Sequence, residues 1–397
     1  MIAHRGASGH RPEHTLEGYA LAVQMGADFI EPDLVSTKDG VLVARHENEI
    51  GATTDVATKF AARKTRKVVD GDTISGWFTE DFTLAELRTL RAKERLSFRS
   101  HVYDGQFLVP TFDDVLALAD SLGRRRGRAV GVYPETKHPT YSRSIGLPIE
   151  EPMLRALRAR GLDRADAPVF IQSFESGNLR VLSRQTQIRL IQLVSSAPQV
   201  TPAALREIAT YAYGVGANTR QIVGEDSAAV PTSLIADAHA AGLRVHAWTL
   251  RPESVFLAKR YGGDPLAEVR ELVGEYIPET IDNYRKIPAH LRQEDYAGKT
   301  ADQRLVEQVD RAVIDRHEGH TAVNRDAQRL VVMTCHLSLC RCWIQLAGRS
   351  VWSDLDASRR LATGAARSGR RRGRLVGYGG GSYHRPDPEL GLDGRRH

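Results

Sequence analysis

The chain has 397 residues, a hydrophobic fraction of 41% and a formal net charge of +6. This length accommodates one domain of about 250 residues with appendages, or two of ordinary size. No apolar run approaches the roughly 20 residues that cross a bilayer, which excludes a membrane-spanning segment. No charged start precedes an apolar segment either, so we expect no signal peptide, and the chain as given would be cytoplasmic.

The positive charge is concentrated at one end of the chain. Residues 357–397 carry ten arginines and three acidic residues, which leaves the remainder close to neutral. We therefore expect no specific nucleic-acid partner for the main body. The Arg/Gly-rich tail is predicted to be disordered, and a solvated tail is favoured over nonspecific contact with RNA or a membrane surface.

Three short apolar segments open the chain, and each carries polar residues at or near its carboxyl end. Residues 2–6, 28–35 and 41–46 have the pattern of strands, with a helix predicted from Thr15 to about Gly26 between the first two. The polar groups on these strands are His4 and Arg5, then Glu31 and Asp33, then His46. Two imidazoles, a guanidinium and two carboxylates are the groups needed to cleave a phosphodiester.

The spacing of Glu31 and Asp33 predicts a cation site. Side chains alternate along a strand, so these two carboxylates project to one face, while Ile30 and Leu34 project to the other. Oxygen ligands suit Mg²⁺ or Ca²⁺. Pro32 lies between them and cannot donate a hydrogen bond within a sheet, so we expect the strand to be interrupted there. A solvated outer face is the alternative for an isolated pair of this kind.

Helical and extended patterns continue to alternate further along. Residues 51–82 are predicted to be rich in loops, and the capping-box pattern at Thr83 starts a helix to about Arg91. Further helices are predicted at 112–122, 150–160, 177–184, from Thr201 and at 231–241, with strands at 129–135, 169–174, 189–194, 211–215 and 244–249. This alternation predicts an α/β fold with a parallel sheet, either open or closed as a TIM (β/α)8 barrel. Polar groups at several strand ends favour the barrel, and no glycine-rich phosphate loop implies a nucleotide cofactor.

Two later segments add candidates to the same site. Glu135 and Lys137 alternate onto one face, which supplies a third carboxylate for the cation and an ammonium group. Lys137 and Arg5 are then placed to hold phosphate oxygens. Gln172 is a candidate hydrogen-bond donor and Trp248 a candidate wall of the pocket, although both residue types are also common in purely structural positions.

Several separated motifs together resemble the glycerophosphodiester phosphodiesterases. They are residues 4–9 (HRGASG), 12–15 (PEHT), 26–34 (GADFIEPDL), 37–40 (TKDG), His46 and 132–139 (VYPETKHP). Residues 76–83 (GWFTEDFT) are similar to the insertion of the bacterial periplasmic type. The resemblance covers about residues 2–273, with the insertion at about 47–82, and it implies a periplasmic or secreted location.

The resemblance implies a TIM barrel that hydrolyses glycerophosphodiesters to glycerol 3-phosphate and an alcohol, with one Ca²⁺ or Mg²⁺ bound. By resemblance Glu31, Asp33 and Glu135 match the metal ligands, His4 and His46 the acid/base pair, and Arg5 and Lys137 the phosphate contacts. In the chemistry we expect, the substrate's own glycerol hydroxyl attacks phosphorus and water opens the resulting cyclic phosphate. Histidines that titrate near neutrality suit these alternating roles.

The resemblance ends after Val273. Residues 274–356 remain unassigned. No segment there has the pattern of the expected final strand, and we expect this strand to be missing or replaced. Its loss would leave unpaired edges on two neighbouring strands. We therefore consider a shifted reading frame or a fusion after this point. Cys335, Cys340 and Cys342 lie in this part, with a spacing that fits no standard zinc site, whereas the predicted catalytic part has no cysteine.

Two other functions stay open at this point. One is a related phosphodiesterase that acts on lysophospholipid or sphingolipid head groups. The other is a catalytically impaired product whose site is present but whose barrel is open. We favour the small soluble glycerophosphodiester as substrate because of the insertion at residues 76–83.

Overall fold

The computed structural model describes residues 1–224, 232–273 and 330–334. All of these belong to one compact unit, Met1–Ile344. A second unit, Gln345–His397, lies outside the described residues, as do the three cysteines and the arginine-rich tail. The interpretations of those segments therefore stay predictions.

Strands and helices alternate through the described part. The strands are β1 (Ile2–His4), β2 (Phe29–Glu31), β3 (Asp33–Ser36), β4 (Leu42–Ala44), β5 (Thr65–Val69), β6 (Asp72–Gly76), β7 (Gly131–Val132), β8 (Glu135–Thr136), β9 (Phe170–Ser173), β10 (Arg189–Val194), β11 (Gly214–Asn218), β12 (Arg244–Leu250) and β13 (Leu330–Thr334). The helices are α1 (Leu16–Gln24), α2 (Val56–Lys59), α3 (Leu84–Leu87), α4 (Phe112–Arg126), α5 (Pro139–Ser144), α6 (Glu150–Arg158), α7 (Ser176–Leu182), α8 (Pro202–Ile208), α9 (Thr219–Val223), α10 (Leu234–Ala240) and α11 (Pro265–Val273).

Most of the sheet is parallel, as expected for a TIM-barrel-like α/β fold. Pro32 separates β2 from β3, and Pro134 lies between β7 and β8, so each of these pairs continues one strand past a proline. Strand β1 pairs parallel with β2, β2 with β7, and β3 with β8. From β8 the parallel pairings continue in order through β9, β10, β11 and β12 to β13. The predicted interruption at Pro32 is confirmed.

The final strand is replaced rather than missing. Strand β13 pairs parallel with β12 and also with β1, where Ile2 is opposite Met333. The expectation of unpaired edges beside β1 and β12 is therefore wrong. The run Leu-Val-Val-Met-Thr has the β-branched, apolar character of a strand. It was not predicted because it lies more than 50 residues beyond the end of the resemblance.

Strand β4 differs from its predicted role. It pairs antiparallel with β3, with Leu34 opposite Ala44, and therefore does not belong to the parallel set. Because the chain reverses between β3 and β4, the end of β4 returns to the start of β3. The Arg45 amide donates to the Asp33 carbonyl at 3.0 Å, which brings the next residue, His46, back to the same end of the sheet.

The predicted loop-rich region contains a hairpin. Strands β5 and β6 pair antiparallel from Thr65 opposite Gly76 to Val69 opposite Asp72, so Asp70 and Gly71 form a two-residue turn. Both residues have left-handed backbone conformations, with φ values of 49° and 91°. An Asp-Gly pair favours this turn because its central residues need positive φ. The prediction of a loop-rich region did not include this hairpin.

Apolar side chains form separate cores on the two sides of the strands. Ile30 and Leu34 pack with helices α1, α4 and α6 on the outer side. On the inner side, Ile2, Tyr133, Phe170 and Ile191 form one cluster. Burial of each large apolar side chain contributes about 1.5–3 kcal/mol. The alternation predicted around Glu31 and Asp33 is confirmed, since both carboxylates leave the strand on the side opposite Ile30 and Leu34.

Candidate active site

Three buried carboxylates meet where the parallel strands end. Glu31 ends β2, Asp33 begins β3 and Glu135 begins β8, and Asp33 lies directly opposite Glu135 in the pairing of β3 with β8. One carboxylate oxygen from each lies within 4.8 Å of the others. The structure therefore brings together the three predicted metal ligands, one of which is separated from the others by a hundred residues of sequence.

The crowding of these carboxylates perturbs their protonation. Burial, together with the charges of Asp33 and Glu135, raises the pKa of Glu31 well above its usual range. Burial and the neighbouring Asp33 raise the pKa of Glu135 to about 8, although Lys137 opposes this. Burial alone would also raise the pKa of Asp33, but the hydrogen bond from His14 and the charge of Lys137 hold it well below its usual value.

One oxygen of the cluster has no protein partner within the described part of the chain. Asp33 Oδ1 is buried and accepts no hydrogen bond from the described residues. A buried carboxylate oxygen without a donor is costly unless another ligand completes it. The oxygen donors, their separation and this oxygen fit a hard divalent cation.

Glu31 is fixed by two donors. The Arg5 backbone amide donates to Glu31 Oε2 at 2.9 Å, and Gln172 Nε2 donates to Glu31 Oε1 at 2.8 Å. Arg5 has a left-handed φ of 60°, which turns the chain directly after β1. Gln172, predicted as a hydrogen-bond donor in the pocket, donates to the Glu31 carboxylate and orients it.

Asp33 is held by a histidine that has no predicted role. His14 Nε2 lies 2.9 Å from Asp33 Oδ2, and its Nδ1 lies 2.7 Å from the Tyr19 hydroxyl. Burial lowers the pKa of His14, so a neutral ring can donate from Nε2 to Asp33 and accept at Nδ1 from Tyr19. His14 lies in the motif at residues 12–15, which pointed to the importance of this segment. The motif alone does not show that His14 contacts Asp33.

Two cations lie beside the carboxylates. Lys137 Nζ is 3.0 Å from Glu135 Oε1, and Arg5 Nε is 3.4 Å from Asp33 Oδ2. Arg5 also donates from its guanidinium to Glu13 Oε2 at 3.3 Å. Both cations are buried. They add positive charge at the place where an anionic substrate would meet the carboxylates.

The two predicted catalytic histidines flank this cluster. His4 ends β1 opposite Glu31, and His46 follows β4. Burial, then Arg5 and Arg251, lowers the pKa of His4 well below its usual value. Burial, then Arg5 and Lys137, lowers the pKa of His46 to about 4. Both pKa values thus lie below the near-neutral range expected from the sequence.

Aromatic residues form one side of the site. The Trp248 and Phe174 rings are nearly perpendicular, with centroids 5.7 Å apart. Lys137 Nζ lies 5.9 Å from the centre of the Phe174 ring. Trp248 therefore contacts Phe174, which lies beside Lys137, and its place in the wall of the pocket stays a prediction.

Comparison with known proteins assigns the chain to a class of phosphoric diester hydrolases. The model of the glycerophosphoryl diester phosphodiesterase family matches residues 4–270. The chain belongs to this family.

Individual relatives agree with the family assignment. A glycerophosphodiester phosphodiesterase of Arabidopsis thaliana is 37% identical over 295 residues, covering 67% of this chain and 78% of that protein. One from Haemophilus influenzae is 30% identical over 296 residues, covering 64% and 79%. A crystal structure from Silicibacter pomeroyi, described as a candidate member, superposes with a TM-score of 0.50 at 23% identity over 63% of this chain and 83% of that one. This last similarity supports the fold.

Within residues 1–224, 232–273 and 330–334, no helix combines the length and the apolar character that crossing a bilayer requires.

Proposed function

We propose that this chain hydrolyses glycerophosphodiesters to glycerol 3-phosphate and an alcohol, with His4 and His46 as the acid/base pair and one divalent cation, Ca²⁺ or Mg²⁺, as cofactor. The observation that carries the proposal is the cluster of three buried carboxylates within 4.8 Å, flanked by two histidines and two cationic side chains. Family membership supports the reaction class.

Glu31, Asp33 and Glu135 would hold the cation. When bound, it would polarise a phosphoryl oxygen and offset the negative charge that develops during attack. The raised pKa values of Glu31 and Glu135 imply that both carboxyls lose protons as the site is loaded. Gln172 and His14 keep two of these side chains oriented through the hydrogen bonds described above.

Arg5 and Lys137 would bind the remaining phosphate oxygens. Lys137 stays charged because Glu135 and Asp33 raise the pKa of its ammonium group, although burial acts in the opposite direction. Fixed positive charges in a buried site stabilise a charge-rich transition state without reorganisation of solvent. An anionic phosphodiester would therefore be held with its phosphorus next to the histidines.

His4 and His46 would then move the protons. At neutral pH both rings are neutral in the described structure, so either can take the proton from the glycerol hydroxyl as it attacks phosphorus. The other ring gives a proton to the departing alcohol. A phosphodiester anion beside that ring offsets the charges of Arg5 and Lys137, which raises the pKa of the histidine and favours the protonated form. Water then opens the cyclic phosphate with the roles reversed.

A direct assay tests the proposal. We expect the full chain to release glycerol 3-phosphate from glycerophosphocholine, to lose this activity after chelation, and to regain it with Ca²⁺ or Mg²⁺. Glu31→Gln should need a higher cation concentration for half-maximal rate. Equal rates with and without chelator would contradict the proposed cofactor, and hydrolysis of lysophospholipid or sphingomyelin in preference to glycerophosphocholine would contradict the proposed substrate.

A further inference from the structure

A row of close polar contacts runs from His46 to the β5–β6 hairpin. His46 Nδ1 lies 2.9 Å from Glu47 Oε1. The other oxygen of Glu47 lies 2.7 Å from His138 Nε2, and His138 Nδ1 lies 2.5 Å from Asp70 Oδ2. Four side chains from three separate parts of the sequence therefore form one continuous row.

The arrangement fixes the protons on both rings. Glu47 is a carboxylate, so His46 must donate to it from Nδ1, which leaves Nε2 without a proton in the neutral ring. His138 faces a carboxylate at each ring nitrogen, and only an imidazolium donates to both. Although burial acts in the opposite direction, Glu47 and Asp70 raise the pKa of His138, which agrees with this charged form.

The outer end of the row is supplied by the hairpin. Asp70 lies in the β5–β6 turn, and His138 has a left-handed φ of 45° directly before α5. The side chain of His138 is 12% exposed, whereas Asp70 is 38% exposed. The side chains of His46 and Glu47 are 23% and 37% exposed, so exposure does not rise steadily along the row. Asp70 is the member of the row farthest from His46.

A second, independent network holds the same three parts together. Buried Glu80 accepts hydrogen bonds from Asn48 at 3.3 Å, from Lys67 at 3.0 Å and from the Tyr141 hydroxyl at 2.7 Å. Asn48 belongs to the loop after His46, Lys67 to the hairpin and Tyr141 to α5. This network can keep the elements in place without the row, which makes it a suitable control.

We propose that Glu47, His138 and Asp70 are positioning residues that hold His46 in one orientation and one tautomer, so that its Nε2 is the atom that exchanges protons in the reaction. The inference rests on the acid/base role of His46 in the proposed function. It gives the hairpin of the insertion a part in catalysis, because Asp70 reaches His46 only through two intervening side chains.

Single substitutions test the row. We expect Glu47→Gln to lower kcat by about 10- to 100-fold, the range that corresponds to one charge-assisted hydrogen bond, with KM changed much less. His138→Gln should lower kcat less than Glu47→Gln, and Asp70→Asn least, because each residue acts on His46 through more intervening side chains. Tyr141→Phe is the matched control, since it removes a hydrogen bond from the Glu80 network and leaves the row intact; its kcat should stay within about twofold of wild type.

Two further measurements separate positioning from a general structural effect. The nitrogen chemical shifts of His46 should show the Nδ1–H tautomer in wild type and a mixture in Glu47→Gln. In a His46→Ala background, Glu47→Gln should lower the residual rate by less than about twofold, because residues that act as a unit are not additive.

The failures of the two proposals differ. If His46→Ala kept near-normal activity, the acid/base assignment would be wrong, and the row would have no catalytic role. If His46→Ala lost activity while Glu47→Gln and His138→Gln matched Tyr141→Phe, the row alone would be overturned. A full effect of Glu47→Gln in the His46→Ala background would also overturn it, since Glu47 would then act through another group.

Discussion

The inside of the sheet has two regions that differ in whether their buried polar atoms have hydrogen-bond partners. Below the site, the Tyr133 hydroxyl and His246 Nδ1 share a hydrogen bond of 2.8 Å among aromatic and aliphatic side chains. At the carboxyl ends of the strands, Asp33 Oδ1 is buried without a described donor, and the pKa values of Glu31 and Glu135 are raised. In the lower region, Tyr133 and His246, the polar atoms pair with each other. In the upper region, the carboxylate cluster, a buried oxygen without a described donor can accept a ligand.

This difference separates groups that stabilise the fold from groups that serve chemistry. A satisfied buried hydrogen bond contributes about 0.5–1.5 kcal/mol. Crowded carboxylates oppose folding, because burial and the repulsion between their charges raise the pKa values of Glu31 and Glu135. Substitutions in the carboxylate cluster should therefore lower activity with little loss of stability. Substitutions of Tyr133 or His246 should lower stability with little loss of activity.

The largest effect is expected from the histidines. His46→Ala or His4→Ala should lower kcat by about 100- to 10,000-fold, because each removes a positioned acid or base. Cation affinity should change little, since neither ring belongs to the carboxylate cluster. Steady-state kinetics at saturating cation measures kcat. Thermal unfolding at increasing cation concentrations measures the cation affinity. Near-normal rates in both variants would show that these rings do not transfer the protons.

The carboxylates should show a cation-dependent stability. A cation at 100 times its Kd should stabilise the wild-type protein by about 2.7 kcal/mol. Glu135→Gln should lose most of this gain. Without cation, the variant should have a stability close to that of wild type at pH 7, because the pKa of Glu135, raised to about 8, leaves this carboxyl largely uncharged there. Thermal or urea unfolding with and without Ca²⁺ or Mg²⁺ measures this difference.

The control for this prediction is a carboxylate outside the cluster. Glu151→Gln removes a side chain on α6 that is 47% exposed, and it should keep the full gain from the cation. If the cation stabilised Glu135→Gln as strongly as Glu151→Gln, it would be bound somewhere other than at the three carboxylates.

Sequence was sufficient for the parts of the site that local pattern determines. Glu31 and Asp33 alternate on one strand, and Glu135 and Lys137 do the same, so their common face follows from strand geometry. The interruption at Pro32 follows from the missing amide hydrogen. The hairpin around Asp70 and Gly71 was readable too, because Asp-Gly between two extended runs is a strong turn signal.

Contacts between distant segments could not be predicted in this way. His14 reaches Asp33, and His138 joins Glu47 to Asp70, only because of tertiary packing. The lowered pKa of His46 depends on burial, which the sequence does not reveal. The position of β13 is a further case, since a five-residue apolar run does not by itself show which strands it joins.

In the lower region, His246 should make stability depend on pH. Burial, then the charge of Arg189, lowers the pKa of His246 to about 3. Between that value and about 6.5, the unfolded chain binds a proton here that the native chain does not. Stability should therefore fall as pH is lowered through this window, by on the order of 2 kcal/mol from this residue between pH 7 and pH 5.

The comparison of wild type with His246→Gln isolates this contribution, because the other histidines are present in both proteins. Urea unfolding at pH 7 and pH 5 should show a smaller loss of stability in the variant by about that amount. Equal losses in the two proteins would mean that His246 takes up its proton without unfolding. Activity at pH 7 should be unchanged within about twofold, as the ring lies outside the carboxylate cluster.

The smallest effect is expected where the lower region loses one satisfied hydrogen bond. Tyr133→Phe keeps the ring among Ile2, Phe170 and Ile191 but removes the hydroxyl that meets His246 Nδ1. The free energy of unfolding should fall by about 1 kcal/mol, while kcat at saturating cation should stay within about twofold of wild type. Tyr133 is only two residues from Glu135, so this variant tests how sharply the two regions are separated along one strand. A fall in kcat as large as that of His46→Ala, at unchanged stability, would place Tyr133 in the chemistry and remove the distinction between the two regions at this strand.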